Sequence, residues 1–367
     1  MRKQIPVTVI TGAAGADGTT VLKRLLSSGG DTRLSAIVPK RSRKKKRSGG
    51  DPSVIPTTEH LVRLGQGCSC CTVRGDVMTK VHRIAEDQSA DHILIQATPQ
   101  ADLRTLAKTF TVPDEQGVVL ADVAQIGSLV TVVDLASFLD VLDGSGARAL
   151  VERIELCNVV LAQGSSDASS ERTEQSLAAI KALNPDAVVV MDSDTEIGIS
   201  SLSAAAPFDL NQAEQRAAGT DGVDGAAGFS FEARRPFHPA RLHALLTERW
   251  TGLLRAKGMF WIASRPDFAC SLDVAGSSQL TTADGMWWAT VPEHERPDRP
   301  DLKRYLETIW HPEFGDRHQS INIIGVGLDA AALQARFDAA LLTDDELLTP
   351  EQWPTMTDPF PWKNPNG

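Results

Sequence analysis

Pro6-Val7-Thr8-Val9-Ile10-Thr11 is β-branched and apolar almost without interruption, and it runs directly into Gly12-Ala13-Ala14-Gly15-Ala16-Asp17-Gly18-Thr19-Thr20. Such a run predicts a strand buried on both faces, the kind found in parallel sheets covered by helices. Val21, Leu22, Leu25 and Leu26 then recur at helical spacing. Strand, glycine loop and helix in that order form the setting of a phosphate loop of the pattern G-x-x-x-x-G-K-[ST]. There, bare backbone N–H groups at a helix N-terminus face the phosphates while a lysine reaches their oxygens. Gly12, Gly15, Gly18, Thr19 and Thr20 are the candidate lining of such a nucleotide pocket. The pattern is incomplete, however. With Thr19-Thr20 as the hydroxyl pair, Gly18 stands at the lysine position and Asp17 at the glycine before it. One change removes a cation and the other adds an anion, so GTP with Mg²⁺ is expected to be held weakly.

The chain continues in the same rhythm. Strands are expected at Ser35–Val38, His92–Thr98, Gly127–Asp134, Val159–Ala162 and Ala187–Met191, with helices over Thr72–Gln88, Leu103–Phe110 and Ser170–Leu183. Alternating strands and helices imply an α/β fold with a doubly wound parallel sheet, its ligands at the carboxyl ends of the strands. A chain of 367 residues is too long for one ordinary core. Residues 1–203 are read as the first domain. Residues 204–228, rich in Ala, Gly, Asp and Gln, are read as a linker, and residues 229–367 as a smaller α+β domain. In the latter, Phe229–Ala233, Gly258–Ala263 and Ser320–Gly325 are expected strands. Pro239–Arg249 and Ala330–Leu341 are expected helices, the second capped by Asp329. All seven tryptophans fall in this half and are expected in its core rather than on a base-stacking surface.

Three of the five cysteines lie within four residues, Cys68, Cys70 and Cys71, flanked by glycines. Thiolates are soft donors suited to Zn²⁺, and three of them make most, though not all, of a tetrahedral site. A fourth ligand from elsewhere, a water or a partner would complete it, which suits transfer or sensing better than a closed structural finger. The competing reading is a set of reduced thiols under a loop, or a redox cluster. An odd, clustered cysteine count does not make a disulfide framework and fits a reducing cytoplasm. No run of eighteen apolar residues occurs and the start lacks the pattern of a secretory leader, so a soluble cytoplasmic protein with no membrane partner is expected. The net charge of −10 argues against generic nucleic-acid binding. One stretch contradicts it locally: Lys40, Arg41, Arg43, Lys44, Lys45, Lys46 and Arg47 leave only Ser42 uncharged between positions 40 and 47. Such a run is either a solvated insertion or a grip on RNA phosphates.

Gly67-Cys68-Ser69-Cys70-Cys71-Thr72-Val73-Arg74-Gly75-Asp76 and Thr131-Val132-Val133-Asp134 resemble signatures of the CobW family of P-loop metal-handling G proteins. So do Ala233-Arg234-Arg235-Pro236-Phe237-His238-Pro239, Leu254-Arg255-Ala256-Lys257-Gly258 with Trp261, and Asp316-Arg317. The resemblance spans nearly the whole chain. It implies a P-loop GTPase-like domain, a metal site at Cys68, Cys70 and Cys71 coupled to the nucleotide, a CobW C-terminal domain, and a role in zinc or cobalt supply. The departures fall mostly on the nucleotide side, although the histidine-rich tract common in zinc-delivering members is also absent and the basic run replaces the family's asparagine- and glutamate-bearing switch after the second strand. Besides Gly18, the acidic strand end is replaced by Gln96-Ala97-Thr98-Pro99, and the guanine-reading N-K-x-D position holds Gln163-Gly164-Ser165-Ser166. Phosphoryl transfer depends on positioning and charge neutralisation, so the expectation is a zinc-binding metallochaperone or zinc-responsive adaptor, with a client metalloprotein and a weakened or lost GTPase. No residue is assigned a catalytic role. The alternative, from a subgroup that the chain resembles, is a ribosome-associated factor recruiting a hibernation factor under zinc limitation, its basic run contacting rRNA. A working GTPase is a third reading, resting on the fold alone.

Overall fold

The computed structural model describes residues 4–28, 30–39, 61–64, 71–98, 101–113, 117–164, 170–192, 197–202, 206–218 and 228–362. It divides into two compact units, residues 1–141 with 149–217 and residues 142–148 with 218–367.

The strands of the first unit are β1 (Ile5–Ala13), β2 (Leu34–Pro39), β3 (Leu61–Leu64), β4 (His92–Gln96), β5 (Ala124–Asp134), β6 (Val159–Gln163) and β7 (Val188–Asp192). They form one sheet in the order β3-β2-β4-β1-β5-β6-β7, every neighbouring pair parallel. Its helices are α1 (Gly18–Ser27), α2 (Cys71–Glu86), α3 (Leu103–Thr111), α4 (Phe138–Leu142), α5 (Ala147–Leu156), α6 (Ser170–Leu183), α7 (Ile199–Leu202) and α8 (Leu210–Ala218). The expected doubly wound α/β architecture is therefore the observed one. β1 is central because its residues have nothing to offer water: Val7, Val9 and Ile10 are wholly buried. Ile10 packs with Val21, Leu22 and Leu25 of α1, and each such side chain contributes roughly 1.5–3 kcal/mol by leaving water.

Two differences from the sequence reading have local causes. β5 begins at Ala124, three residues before the expected Gly127, because the register against β1 slips between Val7 and Thr8 and leaves Gly127 outside the pairing. Helix α8 lies inside the stretch that composition marks as a linker. Ala213 and Ala217, one turn apart, bury one face of it, and Arg216 ties it down through Asp186 at 2.6 Å and the Glu155 carbonyl at 3.0 Å.

The second unit is built on an antiparallel sheet of β8 (Gly228–Ala233), β9 (Leu253–Phe260), β10 (Phe268–Ala275), β11 (Ser278–Met286) and β12 (Gln319–Gly325), in the order β11-β10-β9-β12-β8. Helices α9 (Pro239–Thr247), α10 (Pro300–Ile309), α11 (Ala330–Ala340) and α12 (Asp344–Leu347) accompany it. Phe231, Phe237 and Phe337 pack with ring centroids 5.0 to 6.1 Å apart in a core shared with Leu242, Ile321 and Ile323. Asp329 caps α11 as expected, accepting the Ala332 N–H. Trp261, Trp287 and Trp353 are core residues, whereas Trp310 is 41% exposed beneath the Arg296 guanidinium. The strand expected at Gly258–Ala263 is instead β9, ending at Phe260, since Ile262 leaves the sheet to pair with Phe237. The β10–β11 hairpin escaped the sequence reading; its two-residue turn is Gly276-Ser277, with Gly276 at positive φ.

Among the described residues, no helix is long and apolar enough to cross a membrane.

Candidate functional site

Strand order reverses around β1: the chain passes from β1 to β2 on one side and reaches β5, β6 and β7 on the other. Ligands of open α/β sheets bind at that point, outside the carboxyl ends of the strands. The loop there is Gly12–Asp17, so the five candidate residues Gly12, Gly15, Gly18, Thr19 and Thr20 lie together at the end of β1 and the start of α1.

The loop is tight. A Cβ on Gly12 would stand 2.3 Å from the Ala16 carbonyl oxygen, and Ala14 and Gly15 are both left-handed, at φ 50° and 79°. The Ala16 N–H closes this turn on the Ala13 carbonyl oxygen at 3.1 Å, and the chain then enters the N-terminus of α1. The Ser137 hydroxyl, which follows β5, holds the loop from outside. It lies 2.6 Å from the Ala14 carbonyl oxygen and 2.9 Å from Asp134 Oδ2, and a Cβ on Gly15 would reach it at 3.0 Å.

One of the first N–H groups of α1 is taken by the chain itself. Asp17 takes extended backbone angles as N-cap of α1, and its Oδ1 accepts the Thr19 N–H at 2.9 Å. The Thr19 hydroxyl accepts an N–H from Gln96 Nε2 at 2.7 Å, from the last residue of β4. No side chain occupies position 18, although a Cβ there would make only ordinary contacts, the nearest 3.4 Å away at Ile10 Cγ2. A triphosphate with its divalent cation would compete with Asp17 for the Thr19 N–H and with Gln96 at the Thr19 hydroxyl, and would meet no cation at position 18. The residues present do not fit that group.

The carboxyl ends of β6 and β7 are also joined by side chains. Gln163, closing β6, donates its side-chain N–H to Asp192 Oδ2 at 3.0 Å, and Arg24 of α1 donates to both Asp192 oxygens at 2.7 and 2.9 Å. Ser137, Arg24 and Asp192 went unnoticed in the sequence, where nothing local marks them; only the fold brings them to this edge.

Of the metal candidates, Cys68 and Cys70 lie outside the described residues, and Cys71 is the first residue of α2. Three thiolates suit zinc by donor chemistry alone. Among the described residues, no other group of three His, Cys, Asp or Glu could hold a metal. Cys157 and Cys270 are buried, and burial pushes their thiols up to about 11 and about 12. They stay protonated at neutral pH and make poor ligands. The basic candidates Lys40, Arg41, Arg43, Lys44, Lys45, Lys46 and Arg47 also lie outside the described residues.

Residues 6–191 match the CobW/HypB/UreG nucleotide-binding domain, and residues 226–341 match the cobalamin synthesis protein CobW C-terminal domain. A zinc-regulated GTPase metalloprotein activator of Dictyostelium discoideum is 27% identical, aligned over 98% of this chain and 84% of its own. A zinc chaperone of Mycobacterium tuberculosis is also 27% identical, over 83% of this chain and 80% of its own. The zinc-bound YjiA GTPase of E. coli overlays 93% of this chain and all of its own with a TM-score of 0.42 at 16% identity.

Proposed function

We propose that this chain, which belongs to the CobW/HypB/UreG family and carries both its nucleotide-binding domain and its CobW C-terminal domain, binds zinc through Cys68, Cys70 and Cys71. It serves metal homeostasis as a metallochaperone or zinc-responsive adaptor, with weakened use of GTP. Relatives named zinc chaperone and zinc-regulated GTPase metalloprotein activator support the zinc role and a client metalloprotein as partner. The observation that carries the reading is a contrast within one chain. The cysteine cluster keeps all three soft donors, while the nucleotide loop has its Thr19 N–H and hydroxyl engaged by Asp17 and Gln96.

The test is a zinc titration of the full-length protein against a chromophoric chelator, with the Cys68→Ser/Cys70→Ser/Cys71→Ser variant alongside. One equivalent of tightly held zinc, lost in the variant while its circular dichroism is unchanged, is the expected result. Equal zinc retention by both proteins would remove the cysteine site. Calorimetry with Mg²⁺·GTP tests the second half: micromolar, guanine-selective binding by the native chain would restore a nucleotide-coupled chaperone.

A second reading draws on the basic run between positions 40 and 47, seven charges in a chain of net −10. It makes the protein a ribosome-associated adaptor that recruits a hibernation factor when zinc is scarce. Ribosome co-sedimentation that weakens with salt and disappears on reversing the charge of Lys44, Lys45 and Lys46 would favour it; salt-independent or absent association rules it out.

A further inference from the structure

We infer that Asp17 and Gln96 decide what this loop accepts: they are its own ligand, the carboxylate standing in for a phosphate and the carboxamide for the cation beside it. The inference deepens the weakened use of GTP proposed above and rests on it.

A helix N-terminus leaves its first N–H groups without partners inside the helix, and a phosphate loop works by offering them to an anion. Here the Thr19 N–H already has one, Asp17 Oδ1 at 2.9 Å. An incoming phosphate must take that donor from a carboxylate and then remain beside the displaced charge. Gln96 closes the other side independently. Its Nε2 lies 2.7 Å from Thr19 Oγ1, so its N–H takes one of that oxygen's two lone pairs and sets a positive hydrogen beside the place where a cation would bind. A carboxamide also brings positive hydrogens where a carboxylate would bring negative oxygens.

The backbone keeps its shape throughout. Ala14 and Gly15 hold their left-handed angles and Ser137 holds the Ala14 carbonyl. The turn therefore stands on its own bonds, and Asp17 and Gln96 take the groups at Thr19 that a nucleotide would use.

The experiment uses full-length protein and a fluorescent GTP carrying an N-methylanthraniloyl group, titrated with and without Mg²⁺ against the native chain, Asp17→Gly, Asp17→Gly/Gly18→Lys and Gln96→Glu. A hydrogen bond to a charged group is worth enough that Asp17→Gly should tighten binding about tenfold to a hundredfold. The double variant should bind tighter still, and Gln96→Glu should make binding depend on Mg²⁺. Asp17→Asn keeps the cap and removes the charge, so it serves if Asp17→Gly does not fold, and a smaller gain is expected from it. Unchanged affinity in folded Asp17 variants overturns the inference, whatever the native chain does. Micromolar binding by the native chain that tightens further on Asp17→Gly overturns the weakened use of GTP and leaves the role of Asp17 standing. No binding by native or variant chains leaves weakened GTP use standing and overturns the role of Asp17.

Discussion

Arg24 and Asp192 stand 168 residues apart in the chain, yet one guanidinium nitrogen reaches both carboxylate oxygens, at 2.7 and 2.9 Å. The contact ties the helix that follows the nucleotide loop to the far edge of the sheet. Asp192 is only 6% exposed and Arg24 is 37% exposed. Removing the arginine would therefore leave a buried carboxylate with Gln163 as a neutral donor. Breaking a buried pair costs several kcal/mol and an exposed one very little; for this half-wet pair we expect Arg24→Ala to lower unfolding free energy by about 1–3 kcal/mol. Asp192→Asn should cost less, and in the double variant the two losses should not add. Urea unfolding of the four proteins measures this, and strictly additive losses would show that the pair does not couple.

A second prediction concerns acid. His92 is buried at the start of β4, with its Nε2 2.9 Å from the Thr8 hydroxyl, and burial pushes its pKa down to about 4 from the usual 6.5. The unfolded chain then takes up a proton that the folded chain refuses. The stability tied to the neutral ring is complete above pH 6.5 and is lost as pH falls toward 4. Between pH 7 and 4.5 the loss from this one group is about 2–3 kcal/mol. His92→Gln, which removes the titration, should show a flatter dependence of the urea midpoint over that interval. A parallel decline in both proteins would place the acid sensitivity elsewhere.

The first unit was largely legible because a parallel sheet is written in nearly unbroken apolar runs, as in Val159–Ala162, buried throughout in β6. Ala187–Met191 has the same β-branched run and also gives a strand, although β7 is the half-exposed edge of the sheet. The second unit was less so. β11 reads Ser-Gln-Leu-Thr-Thr-Ala-Asp-Gly-Met, a half-exposed strand whose polarity looks like a loop, and its partner β10 was lost with it. Within the candidate site, the five residues of the loop could be listed in advance because they are contiguous. Ser137, Arg24 and Asp192 could not, since each acts across more than a hundred residues of chain. The occupation of the Thr19 N–H and hydroxyl was likewise invisible: the sequence shows Asp17 and Gln96 as losses, whereas the fold shows them making bonds.

A third prediction explains one residue of the Leu254–Gly258 signature. A Cβ on Gly258 would stand 1.9 Å from the Ser320 carbonyl oxygen and 2.7 Å from the Ile321 Cα, across the β9–β12 pairing. No side-chain rotation relieves a clash between Cβ and backbone, so the two strands must part where Ile321 and Ile323 enter the core. Gly258→Ala should therefore cost about 3 kcal/mol or more, a size reserved for a short list of mechanisms. Thermal unfolding and the yield of soluble protein measure it. A variant as stable as the native chain would mean that β9 and β12 can move apart freely.

The last prediction bears on the zinc site through the cysteines that do not belong to it. Cys157 follows α5 with its Sγ 3.4 Å from the Ile154 carbonyl oxygen, and Cys270 lies in the core of the second unit. Burial holds both thiols far above neutral pH, at about 11 and about 12. A thiol reacts and binds metal as thiolate, and a group titrating near 11 is ionised in only about one molecule per thousand at pH 8. Alkylation of the native, zinc-free protein with iodoacetamide, mapped by mass spectrometry, should therefore leave Cys157 and Cys270 unmodified until urea unfolds the chain. The Cys157→Ala/Cys270→Ala variant should also hold as much zinc as the native protein. Loss of zinc from that variant would bring one of the two buried sulfurs into the ligand set. It would also mean that the folded chain opens to admit the metal, which a rise in zinc-binding rate at low urea would reveal. Full retention leaves Cys68, Cys70 and Cys71 as the thiolates available, and turns the search for a fourth donor toward histidine, water or the client protein.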